Sequence, residues 1–147
     1  MNRPFVFINS AMSADGKISS RDRRQIRISG KEDLMRVDEL RAASDAIMVG
    51  VGTVLADDPG LRVKSRILRE KRKDMGQLKE PFRIVTDSNA RTPANAKILG
   101  PGCMIAVSYS APEERLDRLR PGCEIIKCGT EMVDLPGLME ELHNRGV

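Results

Sequence analysis

The stretch Asp45-Ala-Ile-Met-Val-Gly-Val-Gly-Thr-Val-Leu-Ala-Asp-Asp-Pro-Gly60 constrains the fold of this chain most. It opens with an apolar run, residues 46–49, of the length and β-branched character of a buried strand. Gly50 and Gly52 follow, where the chain turns tightly or lets a ligand approach the backbone. Thr53 then starts a short helical segment, which Asp57-Asp58-Pro59-Gly60 stops. Strand, glycine-bearing turn and helix start make a site for an anionic or polar ligand at the C-terminal edge of a sheet. On local grounds a plain tight turn is an equal reading. Gly-x-Gly-Thr lacks the third glycine of a dinucleotide fingerprint and the Lys of a phosphate-binding loop.

The surrounding pattern predicts an α/β fold. Residues 5–9 read as a first strand. Ser29-Gly-Lys-Glu32 has the form of a capping box, Ser29 at the N-cap. The helix it starts reaches about Ala43, with Leu34, Val37 and Leu40 turned inward. Further strands are expected at 46–50, 82–86, 104–107 and 124–127, and helices at 111–119 and over Leu135, Leu138, Met139 and Leu142, with Gly146 as the C-cap of the last. Strands alternating with helices imply a mostly parallel central sheet flanked by helices. Residues 64–80 lack apolar periodicity and are rich in charge. They are expected to form a mobile or protruding basic loop.

At 147 residues the chain has the length of a single domain, here 1–147. Three Phe, one Tyr and no Trp make the core aliphatic, with Met12, Met35, Met48 and Met104 as core candidates. The same scarcity argues against a base-stacking nucleic-acid surface. The formal charge of +4 is concentrated in Arg62, Lys64, Arg66, Arg69, Lys71, Arg72 and Lys73. A solvated surface is the plain account, a phosphate site the functional one, and nucleic-acid binding the weakest. Cys103, Cys123 and Cys128 form no Cys-x-x-Cys pair and, with the single His143, make no metal site, so free thiols in a reducing cytosol are expected. The N-terminal apolar run is too short for a signal peptide, and no stretch is long enough to span a membrane.

Several segments in this order resemble one family: Ile8-Asn-Ser-Ala-Met-Ser-Ala-Asp-Gly-Lys-Ile18, Arg27-Ile-Ser, Leu40-Arg41, the motif of residues 46–59, and Arg83-Ile-Val-Thr-Asp-Ser88. The chain is similar over essentially its whole length to the reductases of riboflavin biosynthesis, above all their stand-alone archaeal form. These are dihydrofolate-reductase-like domains, also found at the C-terminus of bifunctional bacterial deaminase–reductases. The resemblance implies a cytoplasmic oxidoreductase, homodimeric at full length. NADPH, or less expectedly NADH, would give a hydride to C1′ of a ribosylaminopyrimidine phosphate, converting ribosylamino to ribitylamino. Members of the family also carry a Glu-Gly-Gly-Gly-Thr segment and further strands, which this sequence lacks; the resemblance therefore makes it an incomplete reductase domain without the C-terminal strands.

Carried over position by position, Gly50, Gly52, Thr53, Asp57 and Ser88 would face the cofactor. Asn9, Ser13, Asp15 and Lys17 would lie beside the substrate, and Arg41 and Lys64 would hold its phosphate. Relatives often read Thr-Val-Arg or Thr-Val-His after the Asp-Pro; this chain reads Arg62-Val63-Lys64, so Arg41, Arg62 and Lys64 are all candidates for the phosphate. Lys17 and Asp57 are the catalytic candidates, acting on the sugar hydroxyls or a proton in flight. Each residue also has a plain alternative. Lys17 can be a surface lysine, Asp57 a helix-stop carboxylate and Asp15 a turn former. Thr53 can be an N-cap, Ser88 a turn residue and Arg41 a cation at a helix's negative end. Two other functions stay open: a non-catalytic nucleotide-binding module, and a basic nucleic-acid-binding domain.

Overall fold

The computed structural model describes residues 3–19 and 29–147. Helix α1 spans Lys31–Ala43 and leads into strand β1, Ala46–Gly50. Helices α2 (Val51–Asp57) and α3 (Arg66–Asp74) precede β2, Phe82–Thr86. Then come β3 (Cys103–Val107), α4 (Glu113–Leu119), β4 (Glu124–Lys127) and α5 (Leu135–Asn144). The four strands form one sheet in the order β1-β2-β3-β4, every pair parallel. The expected parallel α/β architecture is therefore present.

Side chains alternate between the two faces of a strand, so each strand feeds two cores. Val85, Ile105 and Val107 meet Val51 and Val54 of α2 and Leu116 and Leu119 of α4 on one face. Ile84, Met104, Ala106 and Ile126 meet Leu138 and Leu142 of α5 on the other. All five residues of β3 are buried, which is why its sequence reads as an unbroken apolar run. Each fully buried aliphatic side chain contributes about 1.5–3 kcal/mol. Gly146 stands one residue past the last cap at φ 84°, and its N–H donates to His143 O.

Four expectations need correction. Residues 5–9 form no strand: Phe5 and Ile8 are each 90% exposed, and no strand among the described residues pairs with them. A strand needs a neighbour for its N–H and C=O groups, and an apolar pattern alone does not provide one. Ser29 is not the N-cap of α1. Gly30 holds that place, and Ser29 hydrogen-bonds the Asp33 carboxylate instead. Leu34 is exposed, as are Met12 and Met35, whereas Met48 and Met104 join the core. Of the Arg27-Ile-Ser motif, residues 27 and 28 lie outside the described residues.

The fourth correction concerns the basic stretch 64–80, which is largely helical. Ser65 caps α3 by accepting from Leu68 N at 3.3 Å, and Lys71, Arg72 and Lys73 complement its negative end. Its inner face was hidden because an arginine occupies the core position. Arg72 is only 3% exposed; it donates to Leu78 O (2.9 Å), Ala42 O (2.6 Å) and Ser44 O (2.8 Å). Arg83 does the same inside β2, donating to Ile98 O at 2.9 Å and Pro101 O at 2.8 Å. Burial pushes its guanidinium pKa down.

Candidate functional site at the C-terminal sheet edge

The loops after the parallel strands meet along one edge and are tied to each other. Asp87 N donates to Ala106 O, and both the N–H and the hydroxyl of Ser108 donate to Ser88 O, at 3.1 and 2.7 Å. Ser88 Oγ accepts from Val133 N at 3.0 Å. Tyr109 N reaches Gly129 O at 2.8 Å. Gly129 has φ 80°, and a Cβ there would stand 2.0 Å from Met132 O, so only glycine fits this turn. Ser88 is thus both a ligand candidate and a stitch between three loops.

At the β1 end of the edge, Gly50 is the N-cap of α2, so the helix begins at Val51 and Thr53 is its third residue, not its start. Val51 is buried, which draws the first turn into the core. Gly50 has φ −76°, an ordinary value, so its conformation does not require glycine. Space inside the chain does not require glycine at either position. A Cβ on Gly52 would meet nothing within 4 Å, and one on Gly50 only Thr86 Oγ1 at 3.8 Å. The bare Cα atoms leave room for a flat ligand group against the backbone. Thr53 and Asp57 are exposed and four residues apart, hence on one face of α2. These residues fit a nucleotide cofactor lying along the edge.

The phosphate candidates also come together. Arg41, in the last turn of α1, donates to Arg62 O at 3.3 Å. Asp38, one turn earlier, accepts from Lys64 N at 2.6 Å and Ser65 N at 2.7 Å. Glu80 accepts from Val63 N at 2.8 Å. Residues 62–65 are therefore strapped against α1 with Arg62 and Lys64 exposed beside Arg41. The strained loop that leads there has two non-glycine residues at positive φ, Asp58 at 41° and Leu61 at 47°. Asp58 is held by Lys97, whose N–H donates at 2.8 Å and lowers the carboxyl pKa.

Asn9, Ser13, Asp15 and Lys17 form a separate group. Ser13 N donates to Lys17 O and Gly16 N to Ser13 O, closing a turn with Gly16 at φ 78°. Lys17 Nζ lies 3.4 Å from Asp15 Oδ2, both side chains about 70% exposed. The Ser13 hydroxyl, then Lys17, hold the Asp15 carboxyl below its ordinary value. Arg36 donates to Asn9 Oδ1 at 2.9 Å, tying the segment to α1. Among the described residues no hydrogen bond or ion pair joins Lys17 to the β1–α2 turn, so the structure does not bring Lys17 and Asp57 together. The plain turn and surface roles describe Asp15 and Lys17 as they stand.

Sequence reasoning missed Asp38, Asp87 and Ser108. No local signal marks Asp38 as inward-facing: Leu34, one turn before it, is exposed, and the acceptor role of Asp38 depends on residues 64 and 65 further along the chain. Asp87 is 1% exposed; its Oδ2 accepts from Thr92 N (2.7 Å) and Thr92 Oγ1 (2.8 Å), fixing the loop after β2. Cys103, Cys123 and Cys128 are free thiols. Burial raises all three pKa values, that of Cys123 to about 12. Among the described residues no group of three His, Cys, Asp or Glu could hold a metal, and no helix is long and apolar enough to cross a membrane.

A parallel sheet with this edge, glycine turn and cationic strap is that of a dihydrofolate-reductase-like domain, and the chain belongs to the RibD C-terminal domain family, which it matches over residues 4–147. It is 53% identical over 147 residues to the 2,5-diamino-6-ribosylamino-4(3H)-pyrimidinone 5′-phosphate reductase of Archaeoglobus fulgidus, covering 99% of this chain and 67% of that protein. The same-named enzyme of Methanothermobacter thermautotrophicus is 47% identical, with 99% of this chain and 64% of that protein covered. Among solved structures, Acinetobacter baumannii RibD superposes with a TM-score of 0.74 at 28% identity, over 99% of this chain and 38% of that one. The chain thus spans about two thirds of the length of its archaeal relatives.

Proposed function

We propose that this protein is the cytoplasmic, homodimeric reductase that converts 2,5-diamino-6-ribosylamino-4(3H)-pyrimidinone 5′-phosphate to its ribitylamino product in riboflavin biosynthesis, with NADPH as reductant. The observation that carries the reading is the open backbone at Gly50 and Gly52, set beside Thr53 and Ser88 on the sheet edge of a chain 53% identical to a reductase of that name. The bound cofactor supplies a hydride to C1′. Gly50, Gly52 and Thr53 admit and orient it from one side, and Ser88 offers its hydroxyl hydrogen from the loop after β2. Asp57, on the same face of α2 as Thr53, accepts hydrogen bonds from the ribose or the carboxamide end.

Arg41, Arg62 and Lys64 supply three cations for the substrate phosphate, and residues 62–65 are pre-positioned by Asp38 and Glu80. Opening the ribosylamine requires a proton on the departing ring oxygen while C1′ takes up the hydride. Lys17 is the donor in this proposal. It must leave Asp15 and approach the edge with its segment when substrate binds. Asn9, Ser13 and Asp15 then line the substrate from the same segment. The test separates binding from chemistry: NADPH affinity by calorimetry, and product by mass spectrometry after incubation with substrate. Tight NADPH binding with no product would leave a nucleotide-binding module in place of a reductase.

A further inference from the structure

A cavity lies at the N-terminal ends of the strands, on the edge opposite the proposed reaction. Its volume is about 420 Å³, in the range of small-ligand sites. Phe82, Cys103 and Glu124, which line it, are the first residues of β2, β3 and β4. Pro101, Pro121 and Cys123 line it as well. The charged side chains there are paired: Arg120 with Glu113 and Asp117, and Glu124 with Arg145. What the cavity offers chemically is sulfur.

The two thiols are neighbours by topology. Strands β3 and β4 run parallel with Met104 opposite Glu124, so Cys103 and Cys123 stand one step earlier on adjoining chains. Neighbouring strands lie about 4.7–4.9 Å apart, inside the Cα–Cα range of about 4.4–6.8 Å that a disulfide spans. Both side chains also point to one face. Cys103 belongs to the core cluster that holds Leu116 and Leu119 of α4, and Cys123 packs against that cluster. Their access differs. Cys103 is 3% exposed, whereas Cys123 is half-buried and donates its thiol to Leu119 O at 3.3 Å. A thiol is a weak donor, so that bond yields readily. Cys128 lies past the far end of β4 and packs on the opposite face.

We propose that Cys103 and Cys123 are a disulfide-forming pair, a modification site for low-molecular-weight disulfides that enter this cavity, and that the resulting cross-link staples the fold. Cys123 Sγ loses its proton to solvent and attacks one sulfur of the reagent, forming a mixed disulfide and expelling one thiolate. Cys103, deprotonated in turn, attacks Cys123 Sγ, and the other half of the reagent leaves as the second thiolate. The pair gives up two electrons, and the reagent is reduced to two thiols. Cys123 is the attacking sulfur because it borders the open cavity, and the buried Cys103 resolves the intermediate. The cross-link closes the unit β3-α4-β4 at its base. Burial pushes the Cys123 thiol up to about 12, so its thiolate is scarce at neutral pH and the exchange is slow.

Prolonged incubation of the folded protein with oxidised glutathione, followed by non-reducing mass spectrometry, tests this while circular dichroism confirms that the chain stays native. The expected product is two hydrogens lighter, with one peptide bridging Cys103 and Cys123, and dithiothreitol reverses it. Cys128→Ser should give the same cross-link. Cys103→Ser should stop at a glutathione adduct on Cys123, and Cys123→Ser should give neither product. Cys103→Ser places a hydroxyl in the core, so Cys123→Ser, at the half-buried position, keeps the test decisive if the other variant does not fold. The oxidised native protein should melt about 6–12 °C higher than the reduced form, as a closed loop of this length implies. Free thiols throughout, a lasting adduct on Cys123 of the native protein, a cross-link through Cys128, or an oxidised form that melts no higher overturns the proposal.

Discussion

Replacing Asp38 by Asn tests how the cationic strap is held. In the native protein its two oxygens accept from Lys64 N at 2.6 Å and Ser65 N at 2.7 Å, and the residue is 8% exposed. Asparagine keeps one acceptor and turns an NH₂ donor toward the other N–H. The loss is one charge-assisted hydrogen bond, worth about 1.5–3 kcal/mol, plus a facing pair of donors costing about 1–3 kcal/mol. Lys64 is exposed and Ser65 partly so, and water reaching them places the total in the lower half of the summed range, about 2.5–4 kcal/mol. Against a typical stability of about 5–15 kcal/mol this lowers the melting temperature by roughly 5–15 °C. The freed Lys64 should also raise KM for the phosphorylated substrate several-fold. Melting followed by circular dichroism, with steady-state kinetics, reads both effects. An unchanged melting temperature would refute the assignment of Asp38 as the strut.

Arg41→Ala should raise KM for the phosphorylated substrate about ten-fold with little change in kcat, because a phosphate clamp supplies mostly ground-state binding; an unaltered KM removes Arg41 from the site. Asp57→Asn and Lys17→Ala should each lower kcat far more than they weaken substrate binding. Near-native kcat in either variant would leave that residue in its plain structural role. The Cys123 thiol, raised to about 12 from 9.0 by burial, predicts alkaline destabilisation. Its stability contribution is complete below the unfolded value of 9.0 and is lost as pH rises through about 12, since the unfolded chain ionises first. Melting temperatures across that window should fall more steeply for the native protein than for Cys123→Ser, and parallel slopes would contradict the shift.

The parts of the fold legible in the sequence are those whose signal is local. The β1–α2 turn is carried by consecutive residues, the buried strand β3 by an unbroken apolar run, and α5 by Leu138 and Leu142 at helical spacing. What escaped depends on partners far along the chain. Helix α3 has the sequence pattern of a loop because its inward position is Arg72, whose acceptors at Ala42 and Ser44 lie about thirty residues upstream. Residues 5–9 have the composition of a strand, but pairing is a tertiary fact. The site was legible in the same uneven way. Gly50 lies at the C-terminal end of β1 and Ser88 just past that of β2, whereas Thr53 sits inside α2 and not at its start. Grouping Arg41 with Arg62 and Lys64 needs the strap through Asp38, and the separation of Lys17 from Asp57 could be read only from coordinates.

Transfer of a hydride to C1′ of a phosphorylated ribosylaminopyrimidine can be followed with NADPH deuterated at its transferable position and the protein expressed from its own gene. The expected product is the ribitylamino compound carrying one deuterium at C1′, formed in step with NADPH oxidation and suppressed by Asp57→Asn. Product labelled at another carbon, or cofactor oxidised with the ribosylamino group intact, would contradict it.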